Sequence, residues 1–229
     1  MKTRMPPPRI TQKFIDNQSD AFIKDLHRAI SLYEKICVNG YVLANDGIAT
    51  RRISQPDSRD MTQFIFFEIA AKFEDFAKVM FQSEVRFLLK VTRAQADFVM
   101  GDADNGMNGK MGWGTPAMLT QRGKNLFGAE SFFGALGNHI GPIAYKALMD
   151  AHTVRNRLAH SGGSAQTKFV KLLEGCGISI NERQGMAVGR FLKDYPKKKP
   201  AGEKNFHAYI AAYETFAAKA KTELISRPA

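Results

Sequence analysis
The rings of Phe64, Phe66, Phe67, Phe73, Phe76, Phe81 and Phe87 crowd into residues 60–100. Apolar side chains at this spacing, with no glycine or proline between them, predict a long helix over about 60–100, broken near Phe81-Gln82-Ser83. A ring-rich stripe of this kind is the core of a helical bundle rather than a base-stacking platform, because so much aromatic surface must be covered. Only a fold that lays further helices over that stripe satisfies it. Glu68 and Glu74 sit among the rings, where one of them could face inward as the partner of a cation. No motif supports either as a site residue.

The covering helices are legible too. Phe22, Leu26, Ala29, Ile30, Tyr33 and Ile36 recur at helical spacing over about 20–37, with Asn39-Gly40 as the stop. Phe206, Ile210, Tyr213, Phe216 and Ala220 do the same over about 203–225. Short helices are expected from Thr115-Pro116, a threonine cap with proline at the first position, and over 129–139 and 165–174. Residues 1–16 read as a flexible lead-in, 41–59 as a long loop with a short extended piece, and 101–114 as a glycine-rich loop. Residues 178–190 admit a small β-hairpin around Gln184-Gly185, and Lys197, Lys198 and Lys199 form a basic turn between prolines. The fold class is all-α: one bundle of five or more helices with long loops, spanning 17–229.

At 229 residues, 44% hydrophobic and 24% charged, the chain has the composition of an ordinary globular protein. No apolar run reaches the length of a membrane span and no secretion signal is evident, so no membrane partner and a cytoplasmic location are expected. Cys37 and Cys176 are too few for a disulfide framework or a zinc cluster. The net charge is +11, and residues 161–229 alone hold twelve Lys/Arg against six Asp/Glu. Such an excess suits a polyanionic partner, nucleic acid first.

Chemistry concentrates at the end of another predicted helix, whose apolar stripe is Ile143, Ala147, Ala151, Val154 and Leu158. It closes with Arg155-Asn156-Arg157-Leu158-Ala159-His160, and Ser161-Gly162-Gly163 supplies a glycine stop. On an ideal helix Asn156 and His160 lie about 40° apart, whereas Arg155 and His160 lie about 140° apart. A helix that loosens before Ser161, or a cleft between two packed helices, would close that gap.

Arg155-Asn156-x-x-x-His160 resembles the R-N-x-x-x-H signature of HEPN domains, small all-α proteins that are mostly metal-independent ribonucleases. The resemblance rests on this hexapeptide and its helical setting. It implies a homodimer in which two copies of the motif line one cleft, with RNA as substrate and neither metal nor cofactor. His160 would transfer protons, Arg155 would meet the charge of the phosphorane, and Asn156 would orient His160 or the phosphate. Products with 2′,3′-cyclic phosphate ends would follow. Outside the motif match, Arg157, Lys197, Lys198 and Lys199 are candidate contacts to RNA phosphates by their charge; Arg157 equally suits plain solvent contact, and the lysine turn equally suits keeping the protein soluble. The resemblance further implies a toxin or defence effector held in check by an antitoxin or other regulatory protein. The alternative it allows is a catalytically inactive RNA- or protein-binding module. A subgroup paired with nucleotidyltransferases has a modified tyrosine two places beyond the motif histidine; here that place is Gly162, which speaks against that route of control.

Other chemistries fit less well. His152 and His160 are separated by about 12 Å of helix rise, too far to share one metal ion. Gly123-Lys124 lacks the upstream glycine of a phosphate loop. The segment from Asp102 imitates a calcium loop, but its glycine comes one place early and Trp113 stands where a glutamate should close it.

Overall fold
The computed structural model describes residues 10–39, 41–43, 49–101, 113, 115–194 and 204–225. Helix α1 runs Gln12–Tyr33 and ends in a π-helical turn, Glu34–Val38. Two short antiparallel strands follow, β1 Tyr41–Leu43 and β2 Ala49–Arg52, with Tyr41 opposite Arg52. The remaining elements are α2 Gln55–Leu89, α3 Arg93–Val99, α4 Pro116–Phe127, α5 Leu136–Ile140, α6 Pro142–Ala159, α7 Gly163–Gly175, α8 Ile180–Arg183, α9 Val188–Asp194 and α10 Asn205–Glu223. The all-α bundle expected from the sequence is what the chain forms. No helix among the described residues is long and apolar enough to cross a membrane.

Several boundaries differ from expectation, each for a local reason. Helix α1 starts at Gln12, inside the expected lead-in, because Thr11 caps it and Ile15 is already buried. Helix α2 starts at Gln55 rather than 60: Ser54 accepts from the Asp57 backbone, and Pro56 stands where a first-turn proline costs no hydrogen bond. It also passes unbroken through Phe81-Gln82-Ser83, since Phe81 is core and the Ser83 hydroxyl donates to the Val79 carbonyl. The break falls at Lys90, whose left-handed backbone (φ 55°) ends the helix. In place of a hairpin at 178–190 stand α8 and α9, the first opened by a capping box between Ser179 and Glu182. The helix expected over 129–139 is confined to α5, preceded by turns. The stretches 102–112 and 195–203, which hold most of the glycine-rich loop and all of Lys197, Lys198 and Lys199, lie outside the described residues.

Helix α10 is the axis of the core, with α1, α2 and α6 around it. Tyr33 stacks on Phe206 at 4.1 Å, Phe73 on Tyr213 at 4.3 Å and Phe22 on Phe76 at 4.6 Å. Burying each such ring is worth roughly 2–3 kcal/mol, and the ring–ring geometry adds about 1 kcal/mol per pair. Burial therefore dominates and stacking refines. Phe64 departs from the expected stripe, lying 61% exposed.

One buried carboxylate fixes the approach to α6. Glu84 of α2 is 1% exposed and accepts the backbone N–H groups of Phe132 (2.7 Å) and Phe133 (3.3 Å), anchoring the turn that leads through α5 into α6. Glu84→Ala should lower unfolding free energy by about 3 kcal/mol, because two buried donors lose their acceptor. Denaturant titration measures it; a loss below about 0.5 kcal/mol, the scale of an ordinary surface change, would contradict the anchoring role.

Candidate active site
Helix α6 carries the motif into three different environments. Arg155 points inward: its Nη2 donates to Glu74 Oε2 on α2 at 2.8 Å, and its guanidinium lies 5.7 Å from the Phe67 ring centre. Both partners are mostly covered, with side chains 22% and 20% exposed. Burial pushes the Glu74 carboxyl up, and the Arg155 charge pulls it part of the way back. Tyr213 of α10 is buried within reach of the same pair, and its phenol is pushed up by that burial. Of the two acids among the α2 rings, Glu74 is the one that meets a cation; Glu68 is exposed.

Asn156 turns sideways along its own helix. Its Nδ2 lies 2.8 Å from His152 Nε2, and the Thr115 hydroxyl lies 2.8 Å from the same nitrogen. With Asn156 donating, Nε2 accepts and the ring proton sits on Nδ1. Thr115 thus opens α4 without capping it; its hydroxyl serves His152 instead. Burial first, then the positive charges of Arg155 and Lys168, lower the His152 pKa to about 4. His152 Nδ1 and Arg155 Nε are buried with no hydrogen-bond partner among the described residues. Orphaned donors of this kind cost about 1–3 kcal/mol each, and they cluster here beside the motif.

His160 faces outward. Helix α6 ends at Ala159, and His160 has extended backbone (φ −134°, ψ 124°) with an exposed side chain. The 40° helical spacing from Asn156 does not apply to it, and Asn156 orients His152 rather than His160. The glycines do not end α6 by a left-handed turn either: Gly162 (φ −66°) is the cap of α7. Arg157, expected on substrate phosphate, donates from Nη1 to the His160 carbonyl at 3.1 Å and so braces the turn. Within one chain, Arg155 and His160 share no hydrogen bond and face opposite ways, buried pair against solvent.

Sequence reasoning missed His152 and Thr115 and left Glu74 out of the site. The i, i+4 spacing of His152 and Asn156 was the available signal. Among the described residues, no group of three His, Cys, Asp or Glu side chains is placed to hold a metal ion.

His152 makes stability depend on pH. Its folded pKa lies below the unfolded value near 6.5, so the unfolded chain binds more protons between pH 6.5 and about 4. The His152 contribution is complete above pH 6.5 and is lost as pH falls toward 4. His152→Gln, which keeps a polar partner for Asn156, should flatten that part of the profile in urea titrations at pH 7.5 and 5. An unchanged pH slope would contradict a buried neutral imidazole.

Comparison with family models, curated proteins and solved structures found no match for this chain, which leaves its own side chains to say what the site does.

Proposed function
We propose that the chain is a metal-independent endoribonuclease of the HEPN type, acting as a toxin or defence effector, with its site assembled from the α6 ends of two copies. The observation that carries this reading is the motif's own geometry. An imidazole with no hydrogen-bond partner among the described residues stands at the exposed end of α6, just over a turn beyond an arginine held in a fixed position by Glu74.

The chemistry follows from those two groups. Cutting RNA without a metal needs a base to take the ribose 2′-hydroxyl proton and an acid to protonate the departing 5′-oxygen. An imidazole serves either role near neutral pH, and two copies facing one cleft serve both. The phosphorane gathers negative charge on its equatorial oxygens. Arg155 commits Nη2 to Glu74 and buries Nε, so Nη1 is the donor it would turn to phosphate. Asn156 acts one step back, through His152, by setting the local packing of the α6 end. The products are a 2′,3′-cyclic phosphate and a 5′-hydroxyl, and DNA is spared for want of a 2′-hydroxyl. The net charge of +11 supports a nucleic-acid substrate. An antitoxin or another regulatory protein is proposed to restrain such an activity.

One observation favours a second reading. An arginine already neutralised by a half-buried carboxylate can be purely structural, as in a catalytically inactive RNA- or protein-binding module. The two readings separate cleanly. On end-labelled single-stranded RNA, His160→Ala should reduce cleavage by at least about a hundredfold, the scale of a lost acid–base catalyst, with helicity unchanged. Glu74→Gln should lower turnover more than RNA affinity, since Arg155 loses its aim. Cleavage should continue in excess chelator. Wild-type rates in His160→Ala, or strict dependence on added magnesium, would overturn the nuclease reading; RNA binding with no cleavage by the wild type would establish the second.

A further inference from the structure
Helices α6 and α7, joined by the short turn at His160, form a hairpin whose outer face is a groove of ≈ 600 Å³. Its floor is aliphatic. Leu172 is almost covered and Met149 half-buried, while Ile143 at the mouth is 83% exposed, although its spacing on α6 predicts a core position. Lys146, Lys168 and Lys171 stand around that floor. The acid among them is Asp150, whose carboxylate is held by Lys146 at 3.0 Å and whose side chain is only 12% exposed. Lys168 and Lys171 are exposed and form no ion pair among the described residues.

We propose that this groove docks one acidic amphipathic helix of a partner protein, its apolar residues on Ile143, Met149 and Leu172 and its carboxylates toward Lys146, Lys168 and Lys171. The charge ring selects the sign of the partner, and the aliphatic floor selects its class. A helix in a groove is read by apolar anchors at i, i+3, i+4 and i+7 flanked by complementary charge. A nucleic acid strand would ask for rings or guanidinium planes to stack its bases, and the groove lining contains neither. A second copy seating this same face would set Lys168 and Lys171 against their own counterparts. The groove runs along α6 from Pro142 to Thr153, about 17 Å at 1.5 Å per residue, so it takes a helix of about three turns. The occupant is independent of the chemistry at His160.

The test uses a fluorescent synthetic peptide of about 12 residues, matching that length at 1.5 Å per residue, with leucines at i, i+3, i+4 and i+7 and glutamates elsewhere. A scrambled peptide of equal composition and a random-sequence RNA oligonucleotide are the comparisons. The striped peptide should bind the full-length protein at least about tenfold more tightly than the scrambled one, and Ile143→Glu and the pair K168E/K171E should each weaken it about tenfold. These positions are exposed, so circular dichroism should be unchanged. Amide-exchange protection should map to 142–153 and 168–176. Equal binding of the scrambled peptide, absence of binding, or loss of RNA affinity alone in the variants would each overturn the proposal; the last would make the groove a nucleic-acid track.

Discussion
A half-buried ion pair between Arg155 and Glu74 sets the geometry at the end of α6. Taking two charges out of water is costly, and burial alone drives the Glu74 carboxyl toward its neutral form. The guanidinium opposes that shift by meeting the carboxylate at 2.8 Å. Removing either partner would leave the other stranded between α2, α6 and α10. The pair therefore constrains more than it stabilises: α6 cannot rotate or slide on α2 without breaking it. Its positive charge also helps hold His152 neutral, which lets that ring accept from Asn156.

The hexapeptide is thus a set of three differently committed groups. Arg155 belongs to the core boundary, Asn156 to a hydrogen-bonded triplet with His152 and Thr115, and His160 to solvent. A single chain gives His160 no phosphate-binding partner within its own motif. The proposed pairing of two α6 ends would supply one, and it would give the exposed imidazole a cleft to work in. Arg157 closes the α6 end by bonding to the His160 carbonyl, which fixes the backbone while leaving the ring exposed.

The bundle itself was legible in the sequence. The stripe of α10 is buried at every expected position, and Phe66, Phe73, Phe76 and Phe81 of α2 enter the core. What was not legible has local causes. The start of α2 was hidden because Gln55-Pro56-Asp57 looks like a turn until Ser54 is seen to cap it. The end of α2 at Lys90 has no glycine or proline to announce it. Residues 178–190 looked like a hairpin because Gln184-Gly185 marks a turn, whereas the capping box at Ser179 marks a helix start. At the site, periodicity placed Arg155, Asn156 and His160 on one continuous helix. The extended backbone of His160 breaks that assumption, and long-range partners such as Glu74 leave no local spacing signal. Ile143 is the converse case: it fits the stripe, yet the stripe outruns the core at the first turn of α6.

With that extra apolar turn and the lysines around it, the two proposals assign the motif hairpin two separate faces, a groove for a partner and an end for chemistry. The proposed chemistry depends on two such ends meeting. The most direct test is pulsed electron paramagnetic resonance on protein spin-labelled at position 161 through S161C, in a background lacking Cys37 and Cys176. Two motif ends lining one cleft predict a single short, narrow inter-copy distance that persists on dilution to working concentration. A monomeric signal with no dipolar coupling, or a long and broad distribution, would contradict it.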